Sequence, residues 1–192
     1  MCIRDRNLND VLQKYLNPSS PDKVEREFHG VLFRENDKVM QIKNNYQLKW
    51  KKYNPYGDVC EEGEGVFNGD SGVIRTISAL TESVTVEFEE GKIAEYEFSE
   101  MEELELAYAI TIHKSQGSEY PAVIIPLLSG PKMLFNRNLL YTAVTRAKKC
   151  VTIVGSRRMV DQMICNINEK KRYSSLWQRI QELEVADAGM LS

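Results

Sequence analysis

The sequence is poor in the residues that build metal centres and disulfide frameworks. It holds four cysteines, Cys2, Cys60, Cys150 and Cys165, and no Cys-x-x-Cys pair or cluster of histidines beside them. Neither a zinc site nor a disulfide scaffold is indicated, and idle or buried thiols are the simpler reading. Long apolar runs are missing as well. None approaches the ~20 residues of a membrane-spanning helix, and no charged leader followed by an apolar segment opens the chain. The expectation is a cytoplasmic protein. Also missing from the 192 residues is any Gly-x-x-x-x-Gly-Lys-Ser/Thr run. No acidic motif follows an apolar strand in a way that would hold magnesium, so no metal ligands are assigned.

What is present describes a globular chain, with 42% hydrophobic and 28% charged residues. That length holds one sizeable core or two small ones. The net charge of -3 hides an uneven distribution: between Asp58 and Glu105 there are 15 acidic and two basic residues, while the remainder has 13 acidic and 23 basic. An acidic block is set in a basic frame, and the frame has the electrostatics to meet phosphates.

Met1 to Arg6 carries no usable pattern, and a start so close to a helix suggests that the natural protein begins upstream. Leu8, Val11, Leu12, Tyr15 and Leu16 share one face of a helix that stops before Asn17-Pro18. After a polar linker to about Glu27, Phe28 to Phe33 and Lys38 to Ile42 read as short strands, the second leading into Lys43-Asn44-Asn45-Tyr46. That tetrad is read equally as a plain turn or a strand-backbone contact. From Gly65 to Phe98 short alternating strands separated by Gly-containing turns predict a small antiparallel barrel or meander, apparently an insertion. Leu106, Ala109, Ile110 and His113 then follow helical spacing up to Gly117. The apolar stretches Ala122 to Leu127 and Cys150 to Gly155, around a helix from Leu139 to Lys148, predict a parallel right-handed crossover buried on both faces. Helices are expected near Met159 to Asn166 and from Ser174 or Ser175 through Leu183, with a loose tail beyond Glu184.

Two stretches carry the chemistry. In Thr111-Ile112-His113-Lys114-Ser115-Gln116-Gly117-Ser118-Glu119-Tyr120-Pro121, a histidine, a lysine, a bare glycine backbone and a carboxylate precede a buried strand. Such a set suits a phosphodiester on one side and a ribose hydroxyl on the other, although a helix ending at Gly117 would turn its negative dipole end that way. A histidine after an apolar stripe is also a common structural residue. In Leu140-Tyr141-Thr142-Ala143-Val144-Thr145-Arg146-Ala147-Lys148-Lys149, Arg146 lies roughly 90° from the centre of the apolar face on a helical wheel. It could meet a phosphate at the core's edge or be an ordinary surface arginine.

These two stretches resemble the fifth and sixth helicase motifs of superfamily 1, in wording closer to the RecD-like (RecD/TraA) branch than to the UvrD branch. Asp37 to Tyr46 and Leu8 to Pro18 resemble the segments that enter that branch's second motor domain. The resemblance implies an α/β fold: a RecA-like parallel-sheet motor domain, the second half of the P-loop NTPase superfold, with an inserted small antiparallel β-barrel of Src-homology type. Residues 1–57 would be the N-terminal helix and opening strands of the motor domain, 58–105 the acidic barrel, 106–184 the rest of the motor domain and 185–192 a flexible tail. It further implies the C-terminal part of an ATP-dependent 5′-3′ DNA helicase in DNA repair or recombination, using ATP with Mg2+ bound mainly by an N-terminal motor domain elsewhere. Arg146 would reach the γ-phosphate, Gln116, Gly117 and Glu119 would line the nucleotide cleft, and Thr111, His113 and Lys114 would face single-stranded DNA, with Lys43, Asn44, Asn45 and Tyr46 as weaker DNA contacts. Duplex DNA is a further expected partner, and the barrel's charge suits a pin, strand guide or protein-docking surface better than a phosphate clamp. The part by itself is expected not to turn over ATP. A non-enzymatic adaptor descended from a motor domain and a UvrD-like 3′-5′ motor are the rival readings.

Overall fold

The computed structural model describes residues 3–127 and 135–167, together with positions 175, 177 and 179–181. It separates into two compact units, the first made of 1–123 with 145–150 and the second of 124–144 with 151–192. No helix among the described residues is long and apolar enough to cross a membrane.

The first unit opens with helix α1 (Ile3–Leu16), which ends where expected, ahead of Asn17 and of Pro18, whose nitrogen has no proton to give. Its buried side is not the expected one. Leu8, Val11, Tyr15 and Leu16 are exposed, whereas Asn9, Gln13 and Asn17 are buried. The 3.6-residue period marks two faces, and partners rather than periodicity decide which one is covered.

Strands β1 (Glu25–Phe28) and β2 (Val31–Arg34) form a hairpin turning at His29 and Gly30, both at positive φ. There follow β3 (Lys38–Gln41), β4 (Asn45–Tyr53), β5 (Val59–Val66), β6 (Ser71–Ser78), β7 (Ser83–Phe88), β8 (Ile93–Glu97) and β9 (Leu104–Leu106). They make one seven-stranded sheet in the order β5-β4-β8-β7-β6-β3-β9, with every neighbouring pair antiparallel. Residues Val84, Val86, Ala94 and Tyr96 alternate into a core with Phe33, Val39, Ile74, Ile77 and Leu104. The sheet is wider than the expected barrel: Lys38–Gln41 pairs with β6 and β9, and Asn45–Tyr53 pairs with β5 and β8. A short apolar strand reads alike whichever sheet it joins, because its partner is fixed by long-range register. The charge blocks also meet here, as Lys49 lies 3.9 Å from Glu64 and Lys52 2.7 Å from Glu61 across the β4–β5 pair.

Beyond β9 the expected helix does not form. Residues 112–117 are a succession of turns, with Ser115 N–H donating to the Thr111 carbonyl (3.1 Å) and Gln116 N–H to that of His113 (3.3 Å). Gly117 stands at φ +89, the left-handed region that glycine enters freely. Strand β10 (Tyr120–Leu127), helix α2 (Arg137–Val144) and strand β11 (Ala147–Gly155) follow. β10 and β11 pair and run the same way, since the Tyr120 N–H meets the Arg146 carbonyl at one end and Gly155 lies against the Leu127 carbonyl at the other. The first contact belongs to the first unit and the second to the second. A Cβ on Gly155 would stand 2.1 Å from the Leu127 oxygen, so the close approach requires glycine.

In the second unit α2 buries Leu140 and Ala143 and packs on α3 (Arg157–Cys165), which buries Met163. Asn166 ties the pair together by donating to the Phe135 carbonyl at 2.8 Å. Two expectations change. The crossover helix stops at Val144 instead of Lys148, because β11 already begins at Ala147. The strands are not covered on both faces either: Ile124, Ile153 and Val154 are exposed, as a pair of strands has too few neighbours to be enclosed. Of the last expected helix, Trp177 and 179–181 are helical, while 174, 176 and 183 and the tail beyond Glu184 lie outside the described residues.

Candidate functional site

The parallel pairing of β10 with β11 sets Ser118–Tyr120 beside Arg146–Lys148. Arg146 is half-buried, and its guanidinium donates to the Ser118 carbonyl at 3.1 Å and to Thr145 Oγ1 at 3.3 Å. Both acceptors are neutral oxygens, and these two contacts fix the plane of the guanidinium. Glu119 Oε2 lies 3.4 Å from Lys148 Nζ, with both side chains more than half exposed. The two motif stretches thus meet through Arg146 at Ser118 and Lys148 at Glu119.

The loop ahead of them is held mostly by its own backbone. Thr111 Oγ1 accepts from the Lys114 N–H (3.3 Å), Ser115 Oγ donates to the Ile112 carbonyl (2.8 Å), and Ser118 N–H donates to the Ser115 carbonyl (3.2 Å). Ser115 is buried, while His113, Gln116 and Gly117 are exposed. Nothing stands within 4 Å of where a Cβ on Gly117 would lie, so its backbone is open to an incoming group. Because this stretch is turns rather than α-helix, the unfavourable dipole expected at Gly117 is absent and the objection to an anion there lapses. Lys114 Nζ reaches back to Glu105 of β9 at 2.5 Å, which takes up its charge.

The tetrad after β3 lies on the acidic sheet. Lys43 Nζ is 2.5 Å from Glu102, whose bond and charge raise the lysine above its ordinary value while the lysine holds the carboxyl below its own. Asn44 accepts from the Asn68 N–H (2.9 Å) and Asn45 donates to Glu103 (3.0 Å). Tyr46 is exposed and meets Phe67 edge-on, ring centroids 5.6 Å apart. Its last two residues, Asn45 and Tyr46, begin β4, and the tetrad is not brought to the Arg146 cluster by any described contact.

Four residues escaped the sequence reading: Ser118 and Thr145, which aim Arg146, and Glu105 and Lys148, which pair with Lys114 and Glu119. A fifth is Tyr120, whose hydroxyl is buried without a hydrogen-bond partner among the described residues. The parallel crossover was legible, but nothing in the sequence fixes its offset, and the offset decides which residues meet. Among the described residues no group of three or more His, Cys, Asp and Glu side chains could hold a metal ion.

Comparison with known proteins gives a consistent picture. The family model for the SH3 domain of ATP-dependent RecD-like DNA helicases matches residues 8–88, and that for the UvrD-like helicase C-terminal domain matches 106–154. The chain is 32% identical over 150 residues to the ATP-dependent RecD2 DNA helicase of Deinococcus radiodurans, covering 78% of this chain and 18% of that protein. It is 36% identical over 119 residues to the RecD subunit of the RecBCD enzyme of Mycobacterium tuberculosis, covering 62% and 20%. An uncharacterized protein of Methanocaldococcus jannaschii is 36% identical over 143 residues, covering 71% and 12%. The matched region therefore spans between about an eighth and a fifth of the length of these relatives. With both domain models matched in order and RecD proteins among its relatives, the chain belongs to the RecD-like family of DNA helicases.

Proposed function

We propose that this chain is the second, RecA-like motor domain of an ATP-dependent DNA helicase, and that it works with a phosphate-cradling motor domain on another stretch of the protein. The hydrogen-bonded sheet from Lys38 to Leu106 is the inserted small barrel in this reading. The residues from about 106 onward are the motor domain, and α1 falls within the stretch 8–88 that the SH3-domain model matches. The observation that carries the reading is the bond from Arg146 to the Ser118 carbonyl, which joins the two motif stretches into one cluster.

The fit to a nucleotide is partial. An oriented guanidinium and the open backbone of Gly117 suit the edge of a phosphate group, and the Glu119 carboxylate suits a ribose hydroxyl. Neither a cradle for a whole triphosphate nor a magnesium site is among the described residues, so those parts fall to the other domain. ATP, when bound there, supplies the free energy of its terminal phosphate bond. This chain's part is to present Arg146 to the charge on that phosphate, with Gln116 and Gly117 lining the same edge. Thr111 and His113 face a single strand of DNA, and movement runs 5′-3′. Lys114 and the tetrad Lys43, Asn44, Asn45 and Tyr46 are weaker DNA contacts, since Glu105 and Glu102 already take up both lysine charges. The isolated chain is inactive in this account.

The test is Arg146→Ala in the chain joined in frame to its cradle-bearing domain. DNA-stimulated ATP turnover should fall by about 10³ to 10⁵-fold, the range for an arginine finger, with binding of single-stranded DNA retained. Turnover at the wild-type rate would remove Arg146 from the reaction.

A further inference from the structure

α1 docks by the side that its sequence does not favour. Asn9, Gln13 and, just past its end, Asn17 recur every fourth residue and are buried in place of the leucines. Burying amides costs free energy unless each finds partners. Each does. Asn9 Nδ2 donates to the Ala109 carbonyl at 2.8 Å, and its Oδ1 accepts from the Ala109 N–H at 2.8 Å. Gln13 donates to Asp37 Oδ2 (2.5 Å) and the Leu32 carbonyl (2.9 Å), and Asn17 to Asp37 Oδ1 (2.7 Å) and the Glu35 carbonyl (3.0 Å). Asp37, fully buried, also accepts from the Arg34 N–H (2.7 Å) and the Tyr108 hydroxyl (2.9 Å).

The destination of these bonds matters. Tyr108 and Ala109 lie three and two residues ahead of Thr111, where the turns of the candidate site begin. The backbone bonds of that loop, Ser115 to Thr111, Gln116 to His113 and Ser118 to Ser115, are local, so its placement depends on its ends and on the Lys114–Glu105 pair. Apolar packing at α1 would tolerate sliding, whereas the two-way bond of Asn9 to one residue's N–H and C=O permits a single register. We infer that Asn9 and Asp37 are positioning residues that hold the Thr111–Gly117 loop in place from α1 and the β2–β3 turn, an inference that rests on reading that loop as the strand- and nucleotide-facing element.

Two readouts on the intact chain separate this inference from the reading beneath it: amide hydrogen exchange across 108–118, and binding of a fluorescent oligo-dT strand. Asn9→Ala should speed exchange in 108–118 by about ten-fold, the size of losing one to two buried hydrogen bonds, and weaken oligo-dT by a similar factor. Asn9→Asp, nearly isosteric and placing an oxygen against the Ala109 carbonyl, should do the same even if the alanine variant folds poorly. The control is Ser83→Ala, which removes buried bonds to Glu95 and Thr81 and should loosen β7 and β8 while sparing the loop. Unchanged exchange at 108–118 in the Asn9 variants, or a rise spread evenly over the sheet, overturns the positioning role. A loosened loop with unaltered oligo-dT binding upholds it and counts against the loop as a strand contact.

Discussion

The seven-stranded sheet and the Arg146 cluster are tied together in different ways. On the sheet, cations meet carboxylates: Lys43 with Glu102, Lys49 with Glu64, Lys52 with Glu61 and Arg75 with Glu87. Its polar interior is likewise satisfied from within, since the Tyr96 hydroxyl donates to Gln41 at 2.9 Å and burial raises it well above its ordinary value. In the cluster, Arg146 donates to the Ser118 carbonyl and to Thr145 Oγ1, both neutral oxygens, while Glu119 pairs with Lys148. The sheet joins its strands through side-chain ion pairs, whereas the cluster joins its two stretches through a side chain on a backbone carbonyl.

The largest expected effect divides the two regions most sharply. Arg146→Ala should cost about 10³ to 10⁵-fold in DNA-stimulated turnover of the joined protein while leaving the denaturation midpoint nearly unchanged. Ile74→Ala, in the sheet's fully buried core, should do the reverse. A loss of about 2–5 kcal/mol of stability is expected by urea unfolding. Oligo-dT binding measured well below the transition should be unaffected. If Ile74→Ala weakened binding as much as it weakened folding, the sheet would be a principal part of the strand site rather than the weak contact proposed for its Lys43–Tyr46 end, and the contrast would collapse. Next in size is Tyr96→Phe, which leaves Gln41 Oε1 without its buried donor. It should cost about 1–2 kcal/mol in the same unfolding experiment. Equal stability would mean that Gln41 finds a replacement donor, and that the sheet's polar core is less fixed than its geometry suggests.

Much of this contrast was legible in the sequence, and the illegible part has physical causes. The alternation of Val84, Val86 and Phe88 marked the sheet's inner face, and the two long motifs marked the stretches that meet at Arg146. The acidic block and basic frame misled, because β4 carries Lys49 and Lys52 from the frame across to Glu64 and Glu61 of the block. Charge summed along a chain is not charge summed over a surface. Helical spacing at 106–113 failed for a related reason: Leu106 takes its place in β9, where Val39 is its partner across the pair. The α1 face failed because amide side chains can outbid leucines for burial when their partners are precise, and those partners lie as far as 100 residues away.

The smallest effect concerns Lys43 and Glu102, which are both about half exposed. The bond to Glu102, followed by its charge, raises Lys43; the bond and charge of Lys43 lower Glu102. For Glu102 the folded value is depressed, so its contribution is present above the ordinary carboxylate range and fades as pH falls through the lowered value. For Lys43 the folded value is raised, so its contribution is complete below the ordinary lysine value and fades as pH rises through the raised one. Between these limits the pair adds a small, flat and salt-sensitive increment. Glu102→Gln should therefore flatten both outer limbs of the melting temperature against pH without moving the middle by more than a degree or so. The same variant releases Lys43, and this is where it bears on the contrast. If the sheet's lysine is kept from DNA by its carboxylate, Glu102→Gln should steepen the salt dependence of oligo-dT binding by about one unit of slope. An unchanged slope would place Lys43 outside the strand's path, whether or not its charge is paired.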